Sequence, residues 1–271
     1  MEYQMLQKKL TKEMFQKMDE DLVDIILYGS GVSGNMFSGV SDLNFIFVIK
    51  DNPSQPADKI VNKISEIIKN YRDNPMFATM INQTICFQSQ LPNQESLGGF
   101  SPIISLAMKE AKSLKNNDKP FQNINIDKTQ LKQDALNALR EIFNKITEIL
   151  AIPQFLDEEN QSIEQEKQYL AIENGLLATQ IYLMTKKNKY IPKAELEFIA
   201  EDEEKENIDY EIVKIIATKR QGADFAGAVF ETDQEDVAEK SDDPALIYNI
   251  PDLYERVVNL IAKLIQLTAN L

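Results

Sequence analysis

In the first half of the chain, segments with helical spacing of apolar residues alternate with short, continuously apolar segments. Apolar residues that recur every three or four positions lie on one face of a helix, and runs of four to eight apolar residues are typical of buried strands. The pattern therefore predicts helices that alternate with strands. The predicted helices cover Gln4–Glu20, Ala57–Tyr71 and Pro102–Leu114, and the predicted strands cover Val23–Tyr28, Leu43–Lys50 and Met80–Gln88.

The second half of the chain has almost only the helical pattern, which predicts a separate all-α region. A polar linker from Lys115 to Lys128 separates the two halves. We therefore expect an α+β domain over residues 1–120 and a helical bundle domain over residues 121–271. The predicted helices of the second domain cover Leu131–Leu150, Ile163–Thr185, Lys193–Ala200, Ile208–Thr218 and Pro251–Ala269.

The composition excludes several kinds of chemistry. The 271 residues contain no His, no Trp and a single cysteine, Cys86. A Ser-His-Asp or Cys-His nucleophile pair and a His-ligated metal are therefore excluded, and so are an internal disulfide and a Cys-rich zinc site. Cys86 has apolar neighbours, which predicts a small core residue.

The net charge of −14 belongs almost wholly to the second half, and the acids are densest over residues 195–211 and 231–243. Such a balance argues against binding to nucleic acid, because the neutralisation of phosphates needs clustered Lys and Arg. Two interpretations of the acidic half stay open. It keeps the protein soluble as a solvated surface, or it faces a cationic substrate or a basic partner.

Neither the amino-terminal segment nor any apolar run predicts a membrane association. Residues 1–12 are polar and lack the apolar stretch of a signal peptide. No apolar run approaches the roughly 18 residues that span a bilayer. We therefore expect a cytoplasmic protein.

The most informative segment joins the first two predicted strands. It reads LYGSGVSG over residues 27–34 and SDLNFIFV over residues 41–48. This segment resembles the signature of the DNA polymerase β-like nucleotidyltransferase superfamily, in which a strand ends in Gly-Ser, a short helix follows, and the next strand carries Asp-x-Asp. Ser101, Pro102 and the apolar residues after them are similar to the start of the closing helix of such domains. The resemblance implies a small mixed sheet with flanking helices.

The resemblance also assigns roles to particular residues. The Gly-Ser turn brings backbone N–H groups and a hydroxyl to a helix N-terminus, where anions are favoured. The residues implied to bind the phosphates of a nucleotide are Gly29, Ser30, Gly31 and Gly34. The metal ligands implied are Asp42, which is also the candidate catalytic residue, and Asn44, on the same face of the strand. With a third carboxylate from a neighbouring strand, such a site holds the Mg²⁺ ions of an active enzyme.

The chain departs from the family at two of the three carboxylate positions. Asn44 occupies the second aspartate position, and an amide brings no negative charge. The strand Met80–Gln88 should supply the third carboxylate but contains no acid, so that Asn82 or Thr84 occupies its place and Glu95 lies beyond the strand. Because Mg²⁺ affinity follows the charge of the ligands, we expect weakened or lost catalysis.

Three functions of different classes stay open. The first is a nucleotidyltransferase-fold protein that binds a nucleotide or phosphate with weakened or lost catalysis. The second is an active, Mg²⁺-dependent nucleotidyltransferase that transfers a nucleoside monophosphate to a small acceptor, for example a cationic one, or to a protein. The third is a non-enzymatic interaction protein whose helical domain binds a second copy of the chain or a helical partner.

The residues of the motif also have structural interpretations. Gly29 and Ser30 form an ordinary strand-to-helix turn in such an interpretation, and Asp42 caps the start of a strand. Asn44 is then a structural amide with a hydrogen-bond partner. The ring of Tyr28 is more typical of a core residue than of a platform for a substrate.

Overall fold

The computed structural model describes residues 2–33, 42–74, 77, 81–150, 161–196, 198, 208–222 and 252–271. The chain forms two compact units, Met1–Asp127 and Lys128–Leu271. The first unit ends at Asp127, whereas the boundary predicted from the sequence follows residue 120. The assignment of functional domains to these units stays a prediction.

The first unit contains a four-stranded sheet with helices beside it. Its elements are α1 (Glu2–Met18), β1 (Leu22–Tyr28), α2 (Ser30–Ser33), β2 (Leu43–Ile49), α3 (Ala57–Arg72), β3 (Ile81–Phe87), α4 (Pro102–Met108) and β4 (Lys112–Ser113), with 3₁₀ turns at Asp19–Asp21 and Gln88–Gln90. The strand order is β3-β2-β1-β4. Strand β2 runs antiparallel to β1 and parallel to β3, and β4 runs antiparallel to β1. The predicted small mixed sheet with flanking helices is confirmed.

One face of the sheet packs against α1 and α3 to form the core of this unit. Most residues on both faces of the two central strands are apolar, which is the pattern of strands that lie inside a domain. Alternate residues of β2 point to the helix-covered face, and the helices bury apolar residues at a spacing of three or four. The fully or almost fully buried residues of this core include Leu6, Leu10, Met14, Ile25, Leu43, Phe45, Phe47, Ile60, Ile64 and Ile68.

The predicted helix Pro102–Leu114 is wrong beyond Met108. Helix α4 begins as predicted, with the Ser101 hydroxyl accepting a hydrogen bond from the N–H of Ile104 at 3.4 Å. It ends at Met108, and Lys112–Ser113 pairs with Ile26 and Leu27 of β1. The N–H of Leu114 continues this pairing to the carbonyl of Ile25 at 2.8 Å. The outer edge of β1 thereby gains partners for its backbone groups, which outweighs the local helical pattern.

The second unit is helical, as predicted. Its helices are α5 (Lys128–Leu150), α6 (Gln161–Lys187), α7 (Tyr210–Gly222) and α8 (Leu253–Ala269), with a 3₁₀ turn at Lys193–Glu195. Helix α6 contacts the other three. A Cβ atom at Gly175 of α6 would lie 3.0 Å from Ile216 Cδ1 and 3.3 Å from Val257 Cγ1, so the glycine allows a close approach of α7 and α8.

Parts of the predicted helical domain lie outside the described residues. They are residues 197, 199 and 200 of the predicted helix Lys193–Ala200, residues 201–207 of the first acidic segment, and the whole of the second acidic segment, residues 231–243. Among the residues that are described, no helix combines the length and the apolar character needed to cross a membrane.

Candidate nucleotide site

Gly29 turns the chain at the end of β1. Its φ angle is 73°, in the left-handed region that glycine enters without strain. The short helix α2 starts at the next residue, and the N–H of Val32 donates to the carbonyl of Gly29 at 3.1 Å. A residue with a side chain at position 29 would cost roughly 1–2 kcal/mol in this conformation. The predicted strand, Gly-Ser turn and short helix thus follow one another as the sequence motif requires.

Gly31 allows this turn to lie directly on the ends of β1 and β2. A Cβ atom at position 31 would lie 2.9 Å from Leu43 Cδ2 and 3.1 Å from Leu27 Cδ1, both closer than ordinary van der Waals contact. Those two leucines are 1% and 2% exposed, so they have little room to move aside. A side chain at position 31 would therefore have to displace the ends of these two leucine side chains. The remaining predicted phosphate ligand, Gly34, lies outside the described residues.

Ser30 connects the turn to the segment that enters β2. Its Oγ lies 3.5 Å from the backbone carbonyl oxygen of Asp42, at the long limit of a hydrogen bond. Asp42 is exposed and stands immediately before β2. The structure therefore brings Gly29, Ser30, Gly31 and Asp42 to one edge of the sheet.

The amides of Asn44 and Asn82 form a pair at the same edge. In the parallel pairing of β2 and β3, Asn44 lies directly opposite Asn82. The Nδ2 of Asn82 donates to the Oδ1 of Asn44 at 2.9 Å. The sequence left open whether Asn82 or Thr84 occupies the third carboxylate position. The register places Asn82, and not Thr84, beside Asn44.

Tyr28 completes a row across three strands. It lies opposite Asn44 in the antiparallel pairing of β1 and β2, so Tyr28, Asn44 and Asn82 stand side by side on one face of the sheet. Neighbouring positions in such a row are about 5 Å apart. Burial raises the pKa of the Tyr28 hydroxyl, which keeps this hydroxyl neutral. The row consists of uncharged polar groups.

The sequence missed Tyr28 as part of the site, since it was interpreted as a core residue. Its position depends on the register between β1 and β2, which no local pattern reveals. The sequence of β1 does contain a signal, because a polar hydroxyl follows the apolar residues 25–27 directly before the Gly-Ser turn. Cys86 is buried as predicted, and burial raises its thiol pKa to about 11.

The residues at this edge do not fit the Mg²⁺ site of an active nucleotidyltransferase. No group of three or more Asp, Glu, His or Cys side chains that could hold a metal exists among the described residues. Residues 34–41 and 75–80, which adjoin the site in the chain, contain no Asp or Glu. Asp42 is therefore the one carboxylate that the motif and its neighbouring segments supply. The Oδ1 of Asn44, the atom through which an amide binds a metal, already accepts the hydrogen bond from Asn82.

Glu95 does not belong to this edge. Its N–H donates to the Oδ1 of Asn93 at 2.8 Å, in a loop that follows the carboxyl end of β3. The N–H of Gly99 closes that loop by a 3.0 Å hydrogen bond to the carbonyl of Gln90. The strand between Asn82 and Phe87 rises roughly 16 Å, so the loop begins and closes at the far end of β3 from the amide pair.

The order of the elements, the mixed sheet and the Gly-Ser turn together define the class of fold. It is the fold of the DNA polymerase β-like nucleotidyltransferases, followed by a helical region. This chain is similar to a solved structure, that of a spectinomycin adenyltransferase from Enterococcus faecialis crystallised with ATP and spectinomycin. The TM-score is 0.55, with 16% sequence identity over 95% of this chain and 98% of that one. No protein-family model matches the chain, and no curated protein matches it.

Proposed function

We propose that this chain is a nucleotidyltransferase-fold protein that binds a nucleotide through the Gly29–Ser30 turn and whose catalysis is weakened or lost. The observation that carries the proposal is the contrast inside one site. Gly29 adopts a left-handed conformation directly before α2, as a phosphate loop would need, whereas Asn44 and Asn82 form a hydrogen-bonded pair of amides at positions where the resemblance implies carboxylates. Phosphoryl transfer depends on electrostatic stabilisation, which neutral amides provide only weakly.

The turn contributes the binding part of this proposal. Backbone N–H groups after a glycine in the left-handed conformation form a concave surface for an anion. The fold resemblance adds support, because the adenyltransferase with this fold was crystallised with ATP. In this chain the candidate phosphate-binding residues are Gly29, Ser30, Gly31 and Gly34, and Asp42 is the remaining candidate metal ligand and catalytic residue.

The test is a binding panel together with a turnover assay on the full chain. ATP, CTP, GTP and UTP are titrated calorimetrically with and without Mg²⁺, and nucleoside monophosphate transfer to added acceptors is measured in parallel. We expect binding of at least one nucleotide and no efficient transfer. Clear Mg²⁺-dependent transfer would contradict the loss of catalysis, and the absence of all binding would contradict nucleotide recognition.

A second candidate function is an active adenyl- or other nucleotidyltransferase with Asp42 as its principal metal ligand. The observation that favours it is the similarity to the structure of a spectinomycin adenyltransferase with ATP and spectinomycin. The acidic helical half, with most of the net charge of −14, would suit a cationic acceptor. This candidate requires that Asp42→Ala abolishes turnover, so a variant with unchanged turnover excludes it.

A further inference from the structure

Arg72 lies at the start of β3, the strand that carries Asn82. It is the last residue of α3, and its Nη2 donates to the carbonyl oxygen of Ile81 at 2.8 Å. A carbonyl oxygen lies about 3 Å from the Cα atom of the next residue, so the guanidinium lies within about 6 Å of the Asn82 Cα atom. The side chain belongs to an exposed residue, and within the described part of the chain it makes no ion pair with a carboxylate. Its charge is therefore not neutralised by a carboxylate there.

The amide pair presents hydrogen-bond donors as well. Two amide side chains carry four N–H bonds, and the hydrogen bond between Asn82 and Asn44 uses one of them. Over the residues that the structure describes, these two side chains make no other hydrogen bond. Donors directed from a sheet edge next to a guanidinium favour an anion.

The same geometry disfavours a divalent cation. A cation bound to Asn44 Oδ1 would share that oxygen with the Asn82 N–H, and it would meet the positive ends of the remaining N–H bonds. Arg72 would add repulsion from its full charge. Phosphate oxygens face no such obstacle, because guanidinium and amide N–H groups bind them directly.

We propose that Arg72 and the Asn44–Asn82 pair together bind the phosphate group of a nucleotide in its metal-free form. The inference rests on the proposed function and specifies which ionic form of the nucleotide the site takes. Arg72 supplies the positive charge that a bound metal supplies in an active enzyme, and the amides supply the directed donors. The nucleotide complexed with Mg²⁺ is the weaker ligand of this site.

The experiment compares nucleotide binding to the full chain in EDTA and in excess Mg²⁺, by calorimetry with ATP, CTP, GTP and UTP. We expect the Kd in EDTA to be lower than that in Mg²⁺, and an equal or higher Kd in EDTA would overturn the preference for the metal-free form. Arg72→Gln should raise the Kd in EDTA about tenfold or more, since it removes a charge-assisted contact. The matched control is Lys69→Gln, which removes the same charge from an exposed residue of the same helix and should leave the Kd unchanged.

The outcomes separate this inference from the function on which it rests. Binding that requires Mg²⁺, or an Arg72→Gln variant with the Kd of the wild type, overturns the inference and leaves nucleotide binding standing. The absence of binding in both buffers overturns the proposed function itself. If Arg72→Gln lowers the melting temperature, Arg72→Lys decides the matter, because it keeps the charge and should keep most of the metal-free binding.

A second variant tests the amides by a readout that does not depend on activity. The double substitution Asn44→Asp with Asn82→Asp restores carboxylates at both positions, and Mn²⁺ binding is followed by electron paramagnetic resonance. We expect Mn²⁺ to bind to the double variant with nucleotide present and not to the wild type. Wild-type protein that binds Mn²⁺ as tightly as the variant would contradict the exclusion of the metal, and a variant that binds none would contradict the role of the amides.

Discussion

The two ends of the sheet use polar side chains in opposite ways. At the end that carries the Gly-Ser turn, Asn44 and Asn82 bind each other and stand open at the edge. At the opposite end, the carboxylates of Asp21 and Asp51 anchor loops. Asp21 accepts hydrogen bonds from the N–H and the Oγ of Ser54 at 2.6 and 2.7 Å, and Asp51 accepts one from the N–H of Ser89 at 2.9 Å.

Asp21 and Asp51 thus stabilise loops at one end of the sheet, whereas Asp42 is the one carboxylate that the motif supplies at the other end. Hydrogen bonds from the Ser54 hydroxyl and N–H hold the pKa of Asp21 below its usual value, and those from Ser89 do the same for Asp51. Both carboxylates are therefore ionised in the folded state, where they accept the hydrogen bonds that hold the loops. Substitutions at the two ends should therefore differ in their effects on stability and on ligand binding.

The largest effect is expected from Gly31→Val at the turn. The added side chain would meet Leu43 and Leu27 at distances that the buried leucines cannot relieve, and such overpacking costs about 1–3 kcal/mol. Thermal unfolding should show the loss of stability, and calorimetry should show the loss of nucleotide binding. The control is Gly99→Ala in an exposed loop, where a Cβ atom would meet nothing closer than 4.0 Å. An unchanged Kd in Gly31→Val would contradict the placement of the ligand on this turn.

Asp21→Ala should come next, with a loss of stability and no loss of nucleotide affinity. The substitution removes the acceptor of two short hydrogen bonds and leaves the N–H of Ser54 without this partner. The melting temperature measures the effect. Glu20→Ala is the matched control on the neighbouring residue, since the Glu20 pairing with Lys50 is long, at 3.6 Å, and exposed. Equal melting temperatures for the two variants would contradict the anchoring role of Asp21.

The acid side of the stability profile should depend on the same carboxylates. A folded-state pKa below the usual 3.8 means that the stabilisation is fully present above that value and is lost as the pH falls through the lowered pKa. Stability measured by denaturant unfolding between about pH 5 and pH 2 should therefore decrease towards acid. Ser54→Ala should reduce this dependence, because it removes the hydroxyl donor to Asp21. A profile that is equally steep in Ser54→Ala would exclude this origin.

The smallest effect on stability is expected from Asn82→Ala at the open edge. The pair is exposed at Asn82, so its removal should change the free energy of unfolding by less than about 0.5 kcal/mol. Metal-free nucleotide binding should nevertheless weaken. Thr84→Ala, on the same face of the same strand, is the control for both measurements. A large loss of stability in Asn82→Ala would show that the amide pair is structural, as the interpretation of Asn44 as a structural amide requires.

Much of the fold of the first unit was predictable because it depends on local patterns. Two apolar strands on either side of a Gly-Ser turn predicted β1, the turn and β2, and four isoleucines at helical spacing predicted α3. The error after Met108 has the opposite cause. Lys112–Ser113 is a strand only because the edge of β1 needs partners, and a two-residue strand has no periodicity of its own.

The candidate site also has features that residue types predict and features that depend on the tertiary structure. The missing acids at position 44 and in the third strand are visible in the residue types, so the expected weakness of catalysis needed no coordinates. The choice between Asn82 and Thr84 depended on a parallel register that joins strands distant in the chain. The position of Tyr28 depended on the antiparallel register of β1 and β2, and that of Arg72 depended on the end of α3. Tyr28 directly precedes the turn in the chain, whereas no local signal links Arg72 to the turn.

By itself, the sequence determined the alternation of elements, the glycines of the turn and the lack of acids at position 44 and in the third strand, since these follow from residue types and their spacing. Only the tertiary structure decided that Asn44 and Asn82 bind each other, that Tyr28 stands in their row and that Arg72 binds the carbonyl of Ile81, the residue before Asn82. The physical reason is that strand register and helix ends are set by packing across the whole sheet. A shift of one residue would turn each of these strand residues to the other face.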